Sequence, residues 1–213
     1  MKGFILSVAL LFSAVSYGQH EVSTDLLGFG FGKYGLGYEY LINSQSSVGI
    51  YLDFSERNLW GVSDNVFGDI AYSEFNIIPE YKYYLTPEKG SDGPYVGVYL
   101  RYRSSSSRDN EYFGVDPEDA SEFVSGETNV NTSGLAIGAQ AGYKWLAGDK
   151  LYFEPTVGIG RFVMTNVDYS ESVVEDLTEE EFDENDYIPY IGNGLAVDLR
   201  LMLRIGLRFG GGE

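Results

Sequence analysis

The chain has 213 residues, no cysteine and a formal net charge of −18 at pH 7. So acidic a chain is not built to hold nucleic acid or an anionic membrane surface by charge, and without thiols it has neither disulfides nor cysteine chemistry. Twenty-seven glycines and eighteen tyrosines favour strands and turns over helices. At the start, Met1-Lys2, an apolar run from Phe4 to Phe12 and Ser16-Tyr17-Gly18 before Gln19 read as a secretory signal peptide over residues 1–18. The remainder, residues 19–213, is then an exported domain. It holds no apolar run near ~18 residues, so a helical span is not expected.

Alternating polar and apolar positions predict eight strands. The first runs from Glu21 to Phe31, with a parity break at Leu26-Leu27 that predicts a bulge. The second is Tyr34–Leu41, the third Ser46–Phe54, the fourth Ala71–Leu85 and the fifth Tyr95–Arg103. Gly134–Trp145, Leu151–Phe162 and Leu195–Phe209 complete the set. The last is the most telling. Leu195, Val197, Leu199, Leu201, Leu203, Ile205, Leu207 and Phe209 form one wholly apolar face, while Asp198, Arg200, Arg204 and Arg208 lie on the other. A strand with lipid outside and a polar interior behind it requires that pattern.

Connections at 42–45, 86–94 and 146–150 are short, whereas those at 55–70, 104–133 and 163–194 are long and acidic. Short turns on one rim and long loops on the other predict an all-β fold: an eight-stranded antiparallel up-and-down transmembrane β-barrel of the cell outer membrane. Tyr40, Tyr83, Tyr143, Trp145, Phe153 and Phe209 fall beside the short turns and read as an aromatic girdle at the headgroup level. Pro79 and Pro155 interrupt strands that a closed barrel pairs on both sides, so a bulge is expected at each.

An eight-stranded barrel is just wide enough for side chains to fill. Inward parity selects Glu39, Glu74, Glu80, Glu154 and Asp198, and opposite them Lys82, Arg101, Arg103, Lys144, Arg200, Arg204 and Arg208. Charges kept from water must pair, so these predict a cross-barrel ion-pair network. Arg200 and Arg204 are the expected counter-charges of Glu39, Glu80 and Glu154. Tyr51 is expected to fit beside Gly49, Tyr99 beside Gly97, and Tyr152 beside Gly158 and Gly160. The bland reading is a structural plug; the functional alternative is a charged constriction for a solute. The plug is favoured on the narrow bore.

No enzyme chemistry is expected. The single histidine, His20, is placed outside the barrel, and Glu80 and Glu154 among guanidinium groups are poor candidates for acid–base work. Neither a metal site nor a cofactor is predicted. The acidic run from Asp168 to Asp186 lacks the spacing of a calcium loop and reads as a solvated, self-repelling loop.

The stretches Tyr34-Gly35-Leu36-Gly37-Tyr38-Glu39-Tyr40, Ile78-Pro79-Glu80-Tyr81-Lys82-Tyr83-Tyr84-Leu85 and Tyr95-Val96-Gly97-Val98-Tyr99 resemble a family of small outer-membrane barrels of unknown function common in Bacteroidetes. The resemblance spans essentially the whole exported part and implies fold and location, with no activity to carry over. The sequence thus predicts a structural or surface-interaction barrel with a plugged interior. Its partners would be outer-membrane lipid and lipopolysaccharide, the barrel-assembly machinery and an external protein met through the acidic loops, with no nucleic acid. The alternative is a narrow pore or small-ligand transport barrel; a secreted soluble barrel of lipocalin type comes third.

Overall fold

The computed structural model describes residues 19–58, 71–115, 123–148, 150–170 and 197–210. Eight antiparallel strands close into one barrel in sequence order. They are β1 (Gln19–Asp25), β2 (Lys33–Asn43), β3 (Ser46–Asn58), β4 (Ala71–Tyr84), β5 (Gly93–Val115), β6 (Phe123–Ala147), β7 (Leu151–Ser170) and β8 (Val197–Phe209). A five-residue helix, α1 (Leu26–Gly30), stands between β1 and β2. Closure is made by β1 against β8, from His20 opposite Phe209 to Asp25 opposite Arg204.

Side-chain parity sorts the wall into two faces, as the pleat requires. Along β8, Asp198, Arg200, Met202, Arg204, Gly206 and Arg208 are buried, whereas Leu199 and Leu201 are 65% and 67% exposed. Leu36 and Ile50 on β2 and β3, Val98 on β5, Ile137 on β6 and Val157 and Ile159 on β7 are exposed in the same way. The apolar face is therefore the outer one, around the whole barrel. Soluble monomers rarely leave contiguous apolar patches larger than a few hundred Å².

Several expectations are corrected. The first strand does not continue through a bulge to Phe31. It stops at Asp25, whose carboxylate accepts from Leu27 N–H at 3.1 Å and so caps α1. His20 does not lie beyond the strands: it is a residue of β1, its ring packed on the outer face of the wall against Tyr38 and Tyr40, with Nδ1 2.7 Å from the Tyr38 hydroxyl. Neither proline carries a bulge. β4 pairs with β5 up to Ile77–Tyr102, skips Ile78 and Pro79, and resumes in unchanged register at Glu80–Tyr99. At Pro155, β7 likewise loses two rungs to β6 and keeps its register, while pairing Leu203 on β8. A one-residue slip there would turn Glu80 or Glu154 onto the apolar face, so omitting rungs costs less than a bulge. The register shifts instead at Leu41/Asn43, Ser107/Asn110 and Leu135/Ala136.

The connections are also shorter than expected. Strand pairing between β5 and β6 reaches Val115–Phe123, so most of the predicted loop 104–133 is hairpin. β3 extends to Asn58 and β7 to Ser170. The proposed leader at 1–18, Leu195 and the acidic run beyond Ser170 lie outside the described residues.

Candidate functional site: the barrel interior

The tyrosine–glycine pairing inside the barrel runs across strands, not along them. Each of these glycines faces a tyrosine ring that a Cβ would overlap: Gly35 meets Tyr51, Gly138 meets Tyr99, Gly142 meets Tyr95 and Gly206 meets Tyr152. Gly158 and Gly160 on β7 also lie against Tyr99, the ring the sequence paired with Gly97. Bulky residues thus lie over a neighbouring strand's bare backbone, which narrows the bore and holds the rings flat enough for cations to stack on them. Lys82 Nζ sits 5.1 Å from the Tyr95 ring centre, and Lys144 Nζ is 4.9 Å from that of Tyr152.

Among these rings, in the half of the barrel toward the short turns, the charges interlock. Lys82 on β4 contacts Glu39 on β2 at 2.6 Å, Glu154 on β7 at 2.7 Å and neighbouring Glu80 at 3.4 Å. Lys144 on β6 contacts Glu21 on β1 at 2.6 Å, Glu39 at 3.0 Å and Glu154 at 3.3 Å. Arg204 grips Glu80 with both terminal nitrogens, at 2.5 and 2.8 Å, and reaches Glu154 at 3.3 Å. Arg200 adds a contact to Glu80 at 2.7 Å and another to the Gln140 side chain. Arg208 contacts Glu21 at 2.7 Å and donates to the Gly90 carbonyl at 2.8 Å, tying the β4–β5 turn to β8. The two lysines, Glu21 and Glu154 are all at most 1% exposed. Burying so many ions is tolerable only because each has several short partners of opposite sign and hydroxyls besides, such as Tyr84 on Glu39 and Tyr95 on Glu154, both at 2.9 Å.

Toward the long loops a second, sparser set is found. Asp198 takes Arg101 and the Tyr99 hydroxyl; Glu74 takes Arg103, Asn76 at 2.6 Å and Lys33 at 2.7 Å. Here the interior opens into a cavity of about 420 Å³ lined by residues that include Asp25, Lys33, Tyr51, Glu74, Arg101, Asp198 and Met202. Among the described residues, Glu21, Asp25, Glu39, Asp53, Glu74, Glu80, Glu154 and Asp198 stand against Lys33, Lys82, Arg101, Arg103, Lys144, Arg200, Arg204 and Arg208. Eight acids against eight bases make the interior neutral, so the net −18 of the chain belongs to the rest of it.

All twelve sequence-selected inward charges are brought together inside the barrel: Glu39, Glu74, Glu80, Glu154, Asp198, Lys82, Arg101, Arg103, Lys144, Arg200, Arg204 and Arg208. Their partners differ from expectation in one respect. Glu39 pairs with Lys82 and Lys144, not with Arg200 or Arg204. Glu21 was missed altogether; its signal was the parity of Val22, 37% exposed beside it. The six girdle candidates cluster at the short-turn rim: Tyr40 opposes Val48, Tyr83 opposes Ser46, Tyr143 opposes Pro94, Trp145 opposes Phe153, and Phe209 opposes His20. The Tyr143 and Trp145 rings lie 4.4 Å apart between centres, tilted by 34°. Among the described residues no group of three or more acidic or histidine side chains is arranged to hold a metal ion.

Comparison with known proteins adds a family. The model of a family described as "Protein of unknown function (DUF3575)" matches residues 4–197. The chain belongs to that family. No curated protein matches it. Among solved structures it is similar to Ail, the attachment invasion locus protein of Yersinia pestis, at 11% identity and a TM-score of 0.46, over 91% of this chain and 99% of that one. It is also similar to CarO2 of Acinetobacter baumannii, at 10% identity and 0.42 over 91% and 98%. A major outer membrane protein of Thermus thermophilus follows at 15% and 0.39, over 90% and 98%. Likenesses at that level carry no inference about role.

Proposed function

We infer that this chain is an integral outer-membrane β-barrel with a structural or surface-interaction role, its interior closed to solutes by its own ion pairs. The membrane part of the reading rests on the continuous outward apolar face, which water would make unfavourable by roughly 25 cal/mol per Å² of exposed apolar area. The closed part rests on one observation. Lys82 on β4 and Lys144 on β6 both hold Glu39 on β2 and Glu154 on β7, and these contacts bridge four strands across the bore with no exposed member. Such a lattice leaves the loops as the surface for partners, lipopolysaccharide or an external protein, while assembly falls to the barrel-assembly machinery and Tyr40, Tyr83, Tyr143, Trp145, Phe153 and Phe209 form the periplasmic girdle.

Cell fractionation tests the location. The chain is expected in the outer-membrane fraction, extracted only by detergent, with its long loops cleaved by protease added to intact cells. Release into the periplasm without detergent would leave a soluble barrel in its place.

A further inference from the structure

The wall of the barrel has a notch. β1 ends at Asp25, opposite Arg204, and beyond that point β8 continues for six more residues past Leu203, from Met202 back to Val197, paired among the described residues only with β7. On the far side of the gap, β2 from Lys33 to Leu36 is paired among the described residues only with β3. Asp25 Oδ1 accepts from Leu203 N–H at 2.9 Å, which closes the last rung of the seam. Above it, among the described residues, only α1 stands in the gap. Six strand residues at ~3.4 Å each make an edge of roughly 20 Å, whereas five helical residues at ~1.5 Å cover about 7.5 Å.

Among the described residues the cavity reaches this edge. On the fully paired strands it touches inward-facing residues alone, Tyr51 and Asp53, Glu74 and Ile78, Arg101 and Arg103, but on β8 it is lined by the whole run from Val197 to Met202. Consecutive residues of one strand meet the same space where that strand's edge is bare, so the space passes along it. Leu27 and Phe31 line the opposite side of that passage. Its mouth is thus apolar and level with the outward face, and its floor is charged.

The floor is asymmetric in what it has left to offer. Its carboxylates are engaged: Asp198 by Tyr99 and Arg101, Glu74 by Lys33 and Asn76, Asp53 by Asn76, and Asp25 by two backbone N–H groups. Its guanidinium groups are not fully spent. Arg101 Nε and Arg200 Nη2 are buried donors without a hydrogen-bond partner, and Arg200 as a whole is 3% exposed. Spare donors call for an acceptor, and a spare cationic donor for an anion. Roughly 300–1,000 Å³ is the range of small-molecule sites, so a cavity of about 420 Å³ takes a single acyl chain with a compact head but not a lipid with several chains.

We propose that the notch between β8 and α1 is a lateral portal from the lipid, and that the cavity binds a free fatty carboxylate. Its carboxylate meets Arg101 and Arg200, and its chain lies along Leu199, Leu201 and Phe31. The ion-pair lattice beneath makes the site a dead end, so the barrel holds this ligand and does not conduct it through the short-turn rim. The inference rests on the membrane reading above, because the portal opens where lipid would stand.

The test uses the full chain in phosphatidylcholine nanodiscs, titrated with the fluorescent octadecatetraenoate parinaric acid against empty discs. Saturable binding of about one per barrel is expected, displaced by hexadecanoate at least tenfold better than by hexadecanol, which has the same chain and no charge. Arg101→Gln should weaken binding about tenfold while the heat-modifiable gel mobility of the folded barrel is kept, and Arg101→Lys should restore part of it. Phe31→Ser, at the end of α1, should weaken acid and alcohol alike. Equal displacement by acid and alcohol, unchanged affinity in folded Arg101→Gln, or no saturable binding would each overturn the proposal. A barrel that inserts into discs yet binds nothing would leave the membrane reading intact; one that fails to insert would remove both.

Discussion

The two halves of the interior are made from the same strands and the same residue types, yet they behave as opposites. Toward the short turns, Lys82 and Lys144 each serve three carboxylates, and the tyrosines Tyr84, Tyr95 and Tyr152 are buried among them. Toward the long loops, charges meet in smaller groups around a cavity, and donors on Arg101 and Arg200 are left over. The difference follows from the wall. Where all eight strands pair, facing residues interlock from several walls at once; where β1 gives way to α1, one wall strand is missing and the charges meet in separate groups, Asp198 with Arg101 and Glu74 with Arg103 and Lys33. The same alternation of residues thus yields a plug or a pocket according to whether the seam is closed.

The contrast is broken most strongly from below. Lys144→Met leaves the buried carboxylates of Glu21, Glu39 and Glu154 one cation short, and a loss of about 3–5 kcal/mol is expected in urea unfolding from lipid vesicles. Leu201→Arg on the outer face should cost about 2–4 kcal/mol in lipid, an effect that a solvated surface position would not show. Gly138→Ala drives a methyl group into the Tyr99 ring and should cost about 1–3 kcal/mol by the same measurement. Gly30→Ala in α1, with nothing within 4 Å of the added carbon, should be neutral or slightly stabilising. Smallest of the charge effects is Lys33→Met. This lysine is 29% exposed in its pair with Glu74, so about 0–1 kcal/mol is expected, against the several lost at Lys144.

What the sequence made legible was what has a period of two. Parity alone put Glu39, Glu80, Glu154, Lys82, Lys144 and Arg204 on one face of their strands, and once the barrel closes they have nowhere else to go. What it hid depends on register between strands. Glu39 facing lysines in place of arginines, and Tyr51 lying over Gly35 in place of Gly49, are set by how far each strand slides past its neighbour. α1 was hidden for a different reason. A parity break at Leu26-Leu27 looks the same whether the strand bulges or ends; the distinguishing sign was Asp25, a residue type suited to capping a helix, just before it. At the prolines, a bulge relieves a missing donor in the local sequence alone, but in the barrel it would place a glutamate on the apolar face, and the strand gives up two rungs instead.

The claim at the centre is that the short-turn half of the bore is sealed by its own charges. Single-channel recording of the full chain in a planar bilayer tests it most directly. With Lys82, Lys144 and Arg204 holding Glu39, Glu80 and Glu154 across the lumen, no steady conductance is expected in either polarity. A stable open-channel current carried by the folded wild-type barrel would contradict the plug and put the narrow-pore reading in its place.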